Sequence, residues 1–146
     1  METKPLREKL QITILVVDDD PLVRQLVESV LKYGDEYNVL LADSGAMALQ
    51  KSKEFRDEIQ VLISDFQMSG MSGIELATAM TSDRPNLKVL MMSGFPEGML
   101  VLNEGWHFLP KPFVSSQLRA LVVGLVAPDK ESRYAGTIMA AQKGAE

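Results

Sequence analysis

Three short apolar runs constrain this chain most: Ile12–Val17, broken only by Thr13, then Val61-Leu62-Ile63-Ser64, then Leu87 to Met92. A strand with one face in water alternates apolar and polar residues. These runs do not alternate, so each needs cover on both faces, as in a parallel sheet buried between layers of helices. The intervening segments supply the helices. Asp20-Pro21 reads as an N-cap followed by proline at the first helical position. Val23, Leu26, Val27, Val30 and Leu31 follow at the spacing of one apolar helical face, and Gly34 stands where a helix-ending glycine belongs.

The alternation repeats along the chain. Tyr37 to Leu41 reads as a short strand, and Ser44 caps a helix running through Ala46, Leu49 and Phe55. Ser72-Gly73-Ile74-Glu75 has capping-box spacing and opens a third helix through Ala77 and Met80. Asp83-Arg84-Pro85-Asn86 is a turn cluster, Trp106 to Leu109 a fifth strand, and Leu118, Leu121, Val122 and Leu125 one face of a last helix. Strand and helix in strict alternation imply parallel βαβ units with right-handed crossovers. The expected fold is therefore α/β: a three-layer, doubly wound, five-stranded parallel sheet. The 146 residues suit one domain, expected over residues 1–127, with 128–146 a polar tail that is either disordered or a frayed helix.

Composition removes several classes of function. There is no cysteine, hence no disulfide, thiolate nucleophile or cysteine-based zinc site, and His107 alone cannot build a multi-histidine centre. A net charge of −5 argues against nonspecific nucleic-acid binding, which needs a basic surface. The N-terminal METKPLREKLQ lacks the apolar stretch of a signal peptide, and no run approaches the ~18 apolar residues of a membrane span. The expectation is a soluble cytoplasmic protein without direct nucleic-acid or membrane contact.

The informative polar residues all follow buried strands. Asp18-Asp19-Asp20 follows the first, Asp65 ends the third, Ser93-Gly94 the fourth and Lys111-Pro112 the fifth. In an open parallel sheet those ends form one crevice, where such folds bind ligands. Clustered carboxylates repel one another, more so when partly buried, and a bound cation is the natural remedy. With oxygen ligands only, the cation should be hard: Mg²⁺, with Mn²⁺ as a substitute. A carboxylate can also attack phosphorus to give an acyl phosphate, provided positive charge and donors surround the transferring group.

ILVVDDDPLVR at 14–24, VLISDFQMSGMSGIEL at 61–76, VLMMSG at 89–94 and FLPKPF at 108–113 together resemble the receiver domains of two-component response regulators. The resemblance covers roughly residues 10 to 127, with the four stretches in the family's order. It implies the CheY-like, flavodoxin-like strand order 2-1-3-4-5. It also implies Asp65 as phosphoacceptor and metal ligand, Asp19 as a direct metal ligand, Asp18 reaching the metal through water, and the Gln67 backbone carbonyl as a further ligand. Ser93 is similar to the hydroxyl residue that follows the phosphoryl group, Lys111 to the ion-pairing lysine, and Phe108 to the aromatic switch. The Lys111-Pro112 bond would be cis. The phosphoryl donor would be a sensor histidine kinase or phosphotransfer protein, and the output a contact with a downstream protein.

The sequence also departs from the family pattern. Ser69 stands where proline is usual and Ser72 where an acidic residue is common. The Gln67 side chain is expected to alter the lifetime of a phosphoaspartate rather than its formation. Ser93 and Lys111 are separated by 111 − 93 = 18 positions, about one helical turn short, and Gly94, Pro96, Gly98 and Gly105 fall between them. A shortened or irregular fourth helix is the expected result, with the usual output and dimerisation face remodelled. Two other readings remain open. Asp18-x-Asp20 satisfies the core of a haloacid-dehalogenase-like phosphatase, although Pro21 replaces its usual threonine and there is no room for a cap domain. A pseudo-receiver would use the same fold as an unphosphorylated scaffold.

Overall fold

The computed structural model describes residues 11–34, 36–94 and 105–128. The elements run β1 (Ile12–Val17), α1 (Pro21–Lys32), β2 (Tyr37–Ala42), α2 (Gly45–Glu54), β3 (Val61–Asp65), α3 (Gly73–Asp83), β4 (Lys88–Ser93), β5 (His107–Pro110) and α4 (115–128). The five strands form one sheet in the order β2-β1-β3-β4-β5, every pair parallel, as the resemblance implied. The segment expected to hold a shortened fourth helix, 95–104, and the polar tail from 129 onward lie outside the described residues.

The non-alternating apolar runs are buried on both faces. Ile12, Ile14 and Val16 of β1, with Ile63, Leu90 and Leu109 of the neighbouring strands, pack under α1 and α4. Leu15 and Val17, with Leu62, Val89 and Met91, pack under α2 and α3. Successive residues of one strand thus enter opposite cores, the period-two geometry of a pleated strand. All six positions of β1 are buried. No helix among the described residues is long and apolar enough to cross a membrane.

Local chemistry starts the helices where the sequence placed them. Asp20 caps α1 by accepting from the Leu22 N–H at 2.9 Å, with Pro21 behind it. Ser44 accepts from the Met47 N–H at 3.1 Å and Ser72 from the Glu75 N–H at 3.1 Å. Gly34 has φ +93°, the left-handed conformation that ends α1. Several strand boundaries differ slightly. Strand β5 starts at His107 rather than Trp106 and continues to Pro110, and β4 runs Lys88–Ser93 rather than Leu87 to Met92. Leu26 is 45% exposed, so the buried face of α1 is narrower than its apolar spacing suggests.

One glycine brings the fold to the site. The first residue of α3, Gly73, lies so close to the end of β3 that a Cβ there would meet the Asp65 carbonyl oxygen at 2.2 Å. Its N–H donates to the Phe66 carbonyl at 3.0 Å, closing the loop that follows Asp65. Gly73→Ala is therefore expected to destabilise the domain by about 2–3 kcal/mol. Gly124→Ala, where a Cβ meets nothing within 4 Å on α4, should stabilise it by about 0.5–1 kcal/mol. Denaturant midpoints check both. A Gly73 variant as stable as wild type would contradict the close approach of α3 to β3.

Candidate phosphoacceptor and metal site

The parallel order places the ends of β1, β3, β4 and β5 side by side, and the predicted polar residues converge there. Asp18 follows β1 directly, Asp65 is the last residue of β3, Ser93 the last of β4, and Lys111 the first residue beyond β5. Asp65 pairs in register with Met92, and Ser93 with Pro110. One carboxylate oxygen from each of Asp18, Asp19 and Asp65 lies within 4.8 Å of the others. The Lys111 Nζ stands 3.2 Å from Asp18 Oδ2 and 3.4 Å from Asp65 Oδ1. Residues 93 positions apart thus share one pocket.

The three carboxylates are held differently. Asp18 has no solvent exposure. Its Oδ1 accepts the Asp20 N–H at 2.9 Å, its Oδ2 meets Lys111, and its carbonyl accepts from Arg24 Nη1 at 2.7 Å. Asp19 is exposed and its Oδ2 accepts the Ser69 N–H at 3.3 Å. Asp65 lies between these extremes, its side chain 15% exposed. Burial pushes its carboxyl above the ordinary value of 3.8; Lys111 opposes that rise, the Asp18 charge adds to it, and the Gln67 backbone N–H opposes it.

Around these groups the structure places the remaining predicted residues. Ser93 is buried, and its carbonyl accepts the Lys111 N–H at 2.7 Å, fixing where the lysine leaves β5. The Lys111-Pro112 bond is cis. Phe108 is partly buried against the core under α2 and α3. Gln67 has an exposed side chain and turns its N–H toward Asp65. Sequence reasoning missed three contacts: the Arg24 bond to the Asp18 carbonyl, the Ser69 bond to Asp19 and the close approach at Gly73. Only the glycine carried a signal, its place inside the capping box.

The donor set suits a hard divalent cation. All three side-chain donors are carboxylate oxygens, one of them fully buried, and they outnumber the ammonium in contact with them. A cation at this spot relieves the repulsion that the fold imposes. Asp18, Asp19 and Asp65 are the residues placed to hold it.

Comparison with known proteins agrees with this geometry. The family model described as response regulator receiver domain matches residues 14–123. The receiver domain of the hybrid histidine kinase CckA superposes with a TM-score of 0.69 at 31% identity, covering 78% of this chain and 98% of that one. The response regulator TrrA of Thermotoga maritima, solved in complex with Mg²⁺-BeF, gives a TM-score of 0.70 at 26% identity, covering 79% and 99%. The sensor kinase CckA of Brucella abortus is 33% identical over 115 residues, 75% of this chain but 12% of that protein. The chain spans between 12% and 65% of the length of such curated relatives. It belongs to the receiver domain family of two-component response regulators, regulatory modules of phosphorelay signalling.

The Asp65 shift has a stability consequence with a definite sign. Well below the ordinary carboxyl pKa, folded and unfolded chains both hold the proton and the shift has no effect. As pH rises from the ordinary value through the raised one, the folded chain keeps a proton that the unfolded chain has released, so stability falls. Above the folded pKa the loss is complete. Asp65→Asn is therefore expected to raise Tm in metal-free buffer at neutral pH, with the gain vanishing below about pH 4. Thermal melts across pH check this, and a variant less stable than wild type at neutral pH would contradict it.

Proposed function

We propose that Asp65 accepts a phosphoryl group from the phosphohistidine of a sensor kinase or phosphotransfer protein, in a site holding Mg²⁺. The observation that carries this reading is the Lys111 ammonium standing between a fully buried Asp18 and a partly exposed Asp65. Asp65 is the acidic group of the three that combines solvent access with contact to the lysine. An ionised oxygen of Asp65 attacks phosphorus, a P–O bond forms, and the bond to the donor's imidazole nitrogen breaks with its electron pair going to that nitrogen. Lys111 keeps Asp65 ionisable against burial and offers an ammonium to the incoming phosphoryl oxygens.

Asp19 would bind the cation directly and Asp18 through water, while Asp65 and the Gln67 carbonyl would complete the protein's share. When bound, the cation supplies positive charge to the transferring oxygens. Mn²⁺ can substitute, since its ligand preferences are similar. Ser93, one residue past the partner of Asp65 on the next strand, gives its hydroxyl to a phosphoryl oxygen. Phe108, on the adjacent strand, follows that movement, and a downstream protein reads the altered surface. The chemistry of the carboxylate cluster favours this over a pseudo-receiver, which has no need to gather three acids around a lysine.

Incubation with Mg²⁺ and acetyl phosphate tests the acceptor. Intact mass should gain one phosphoryl group in wild type and none in Asp65→Asn; a labelled Asn variant would discard the assignment. A second prediction concerns Gln67, whose side chain is exposed two residues after Asp65 and whose backbone N–H turns toward that carboxylate. Gln67→Ala should change the decay rate of phosphorylated protein by a few-fold, on the order of one kcal/mol in barrier, while leaving the extent of labelling intact. An unchanged decay would remove Gln67 from the account.

A further inference from the structure

The loop between β3 and α3 is fixed by contacts that do not involve the acidic cluster. Gly73 N–H bonds the Phe66 carbonyl at 3.0 Å, and Gly70 turns the chain at φ +79°. Met71 lies so close to Gly45 of α2 that a Cβ on that glycine would meet the Met71 Cβ at 2.8 Å. The loop therefore presents its backbone groups from a held position. One of them, the Ser69 N–H, points at Asp19 Oδ2 at 3.3 Å.

Asp19 needs such a partner more than its neighbours do. Asp18 is buried and gripped by Lys111 and the Asp20 N–H, and Asp65 is in contact with Lys111. Asp19 is exposed, and an exposed carboxylate rotates freely unless something orients it. A hydrogen bond to a ligating carboxylate sets its direction, and losing such a partner costs metal affinity. The bond also depends on the residue type at 69 in an unusual way: proline, expected there from the family pattern, has no N–H to give.

We propose that the Ser69 backbone N–H is a positioning group for Asp19, and that a residue other than proline at 69 makes this chain bind Mg²⁺ more tightly than proline would allow. The inference rests on the metal-site reading above. It concerns the amide alone; the serine hydroxyl has no part in it.

Mg²⁺ calorimetry on the full chain tests this with three variants. Ser69→Ala keeps the N–H and should bind as wild type. Ser69→Pro removes it, and so does an ester at the Met68–Ser69 linkage, made with the α-hydroxy analogue of serine; the ester adds no ring and no restriction on the backbone. Both should bind on the order of three- to ten-fold more weakly, at or below the low end of what losing a hydrogen-bond partner of a metal ligand costs, because the bond is long and exposed. In metal-free protein, the Ser69 amide should exchange slowly with solvent and lose that protection in Asp19→Ala. An ester that binds as wild type overturns the proposal whatever the proline variant does. A Ser69→Ala variant as weak as the ester, or an amide unprotected in wild type, overturns it too. A wild type with no saturable Mg²⁺ response would instead sink the metal-site reading itself, which separates the two failures.

Discussion

Asp18 is a carboxylate with no solvent-exposed surface, and the rest of the site follows from how that charge is satisfied. Its oxygens meet the Asp20 N–H on one side and the Lys111 ammonium on the other. A buried ion pair contributes little net stability, because desolvating both charges offsets most of their attraction. Losing one partner is different, since it strands an uncompensated charge in the interior. The contact therefore ties the start of the sheet to its end: Lys111 reaches Asp18 only if β3, β4 and β5 have assembled in order beside β1. Fold and site are specified by the same topology.

That arrangement leaves a conflict which the fold does not resolve by itself. Asp65 and Asp19 are drawn into the same crevice, and one ammonium faces several acids. Burial and the Asp18 charge both push the Asp65 proton affinity upward. Stability is given up at the place where chemistry is needed, as is common at functional sites. A cation, or the rearrangement of charge that the proposed phosphorylation of Asp65 would bring, changes the balance beside Lys111, whose backbone N–H is bonded to the Ser93 carbonyl at the end of β4. A local change in charge thus has a mechanical route to the sheet edge.

Much of this was legible in the sequence because it depended on local pattern. Apolar runs without alternation demanded a sheet covered on both faces, and β1 is buried at every position. Asp20, Ser44 and Ser72 announced their helices because capping is chemistry between near neighbours. The convergence of Asp18, Asp65, Ser93 and Lys111 followed from topology, since strand ends in a parallel sheet share one side. What could not be read depended on contacts between distant segments. Arg84 donates to Ser52, Phe55 and Asp57, joining the ends of α2 and α3, yet in sequence it was only part of a turn. The apolar spacing of α1 included Leu26, but that side chain is 45% exposed, because what covers a helix face is decided by segments distant in sequence. The Ser69 amide was invisible because a backbone N–H carries no residue signature, except where proline is missing.

Mg²⁺ titration by isothermal calorimetry, comparing wild type with Asp18→Asn and Asp65→Asn, tests the central claim most directly. If acids from two neighbouring strands form one cation site opposite Lys111, wild type shows a single saturable site, and each substitution weakens it by at least about ten-fold. Saturable binding that survives both substitutions unchanged, or a wild type that takes up no Mg²⁺, would contradict the account.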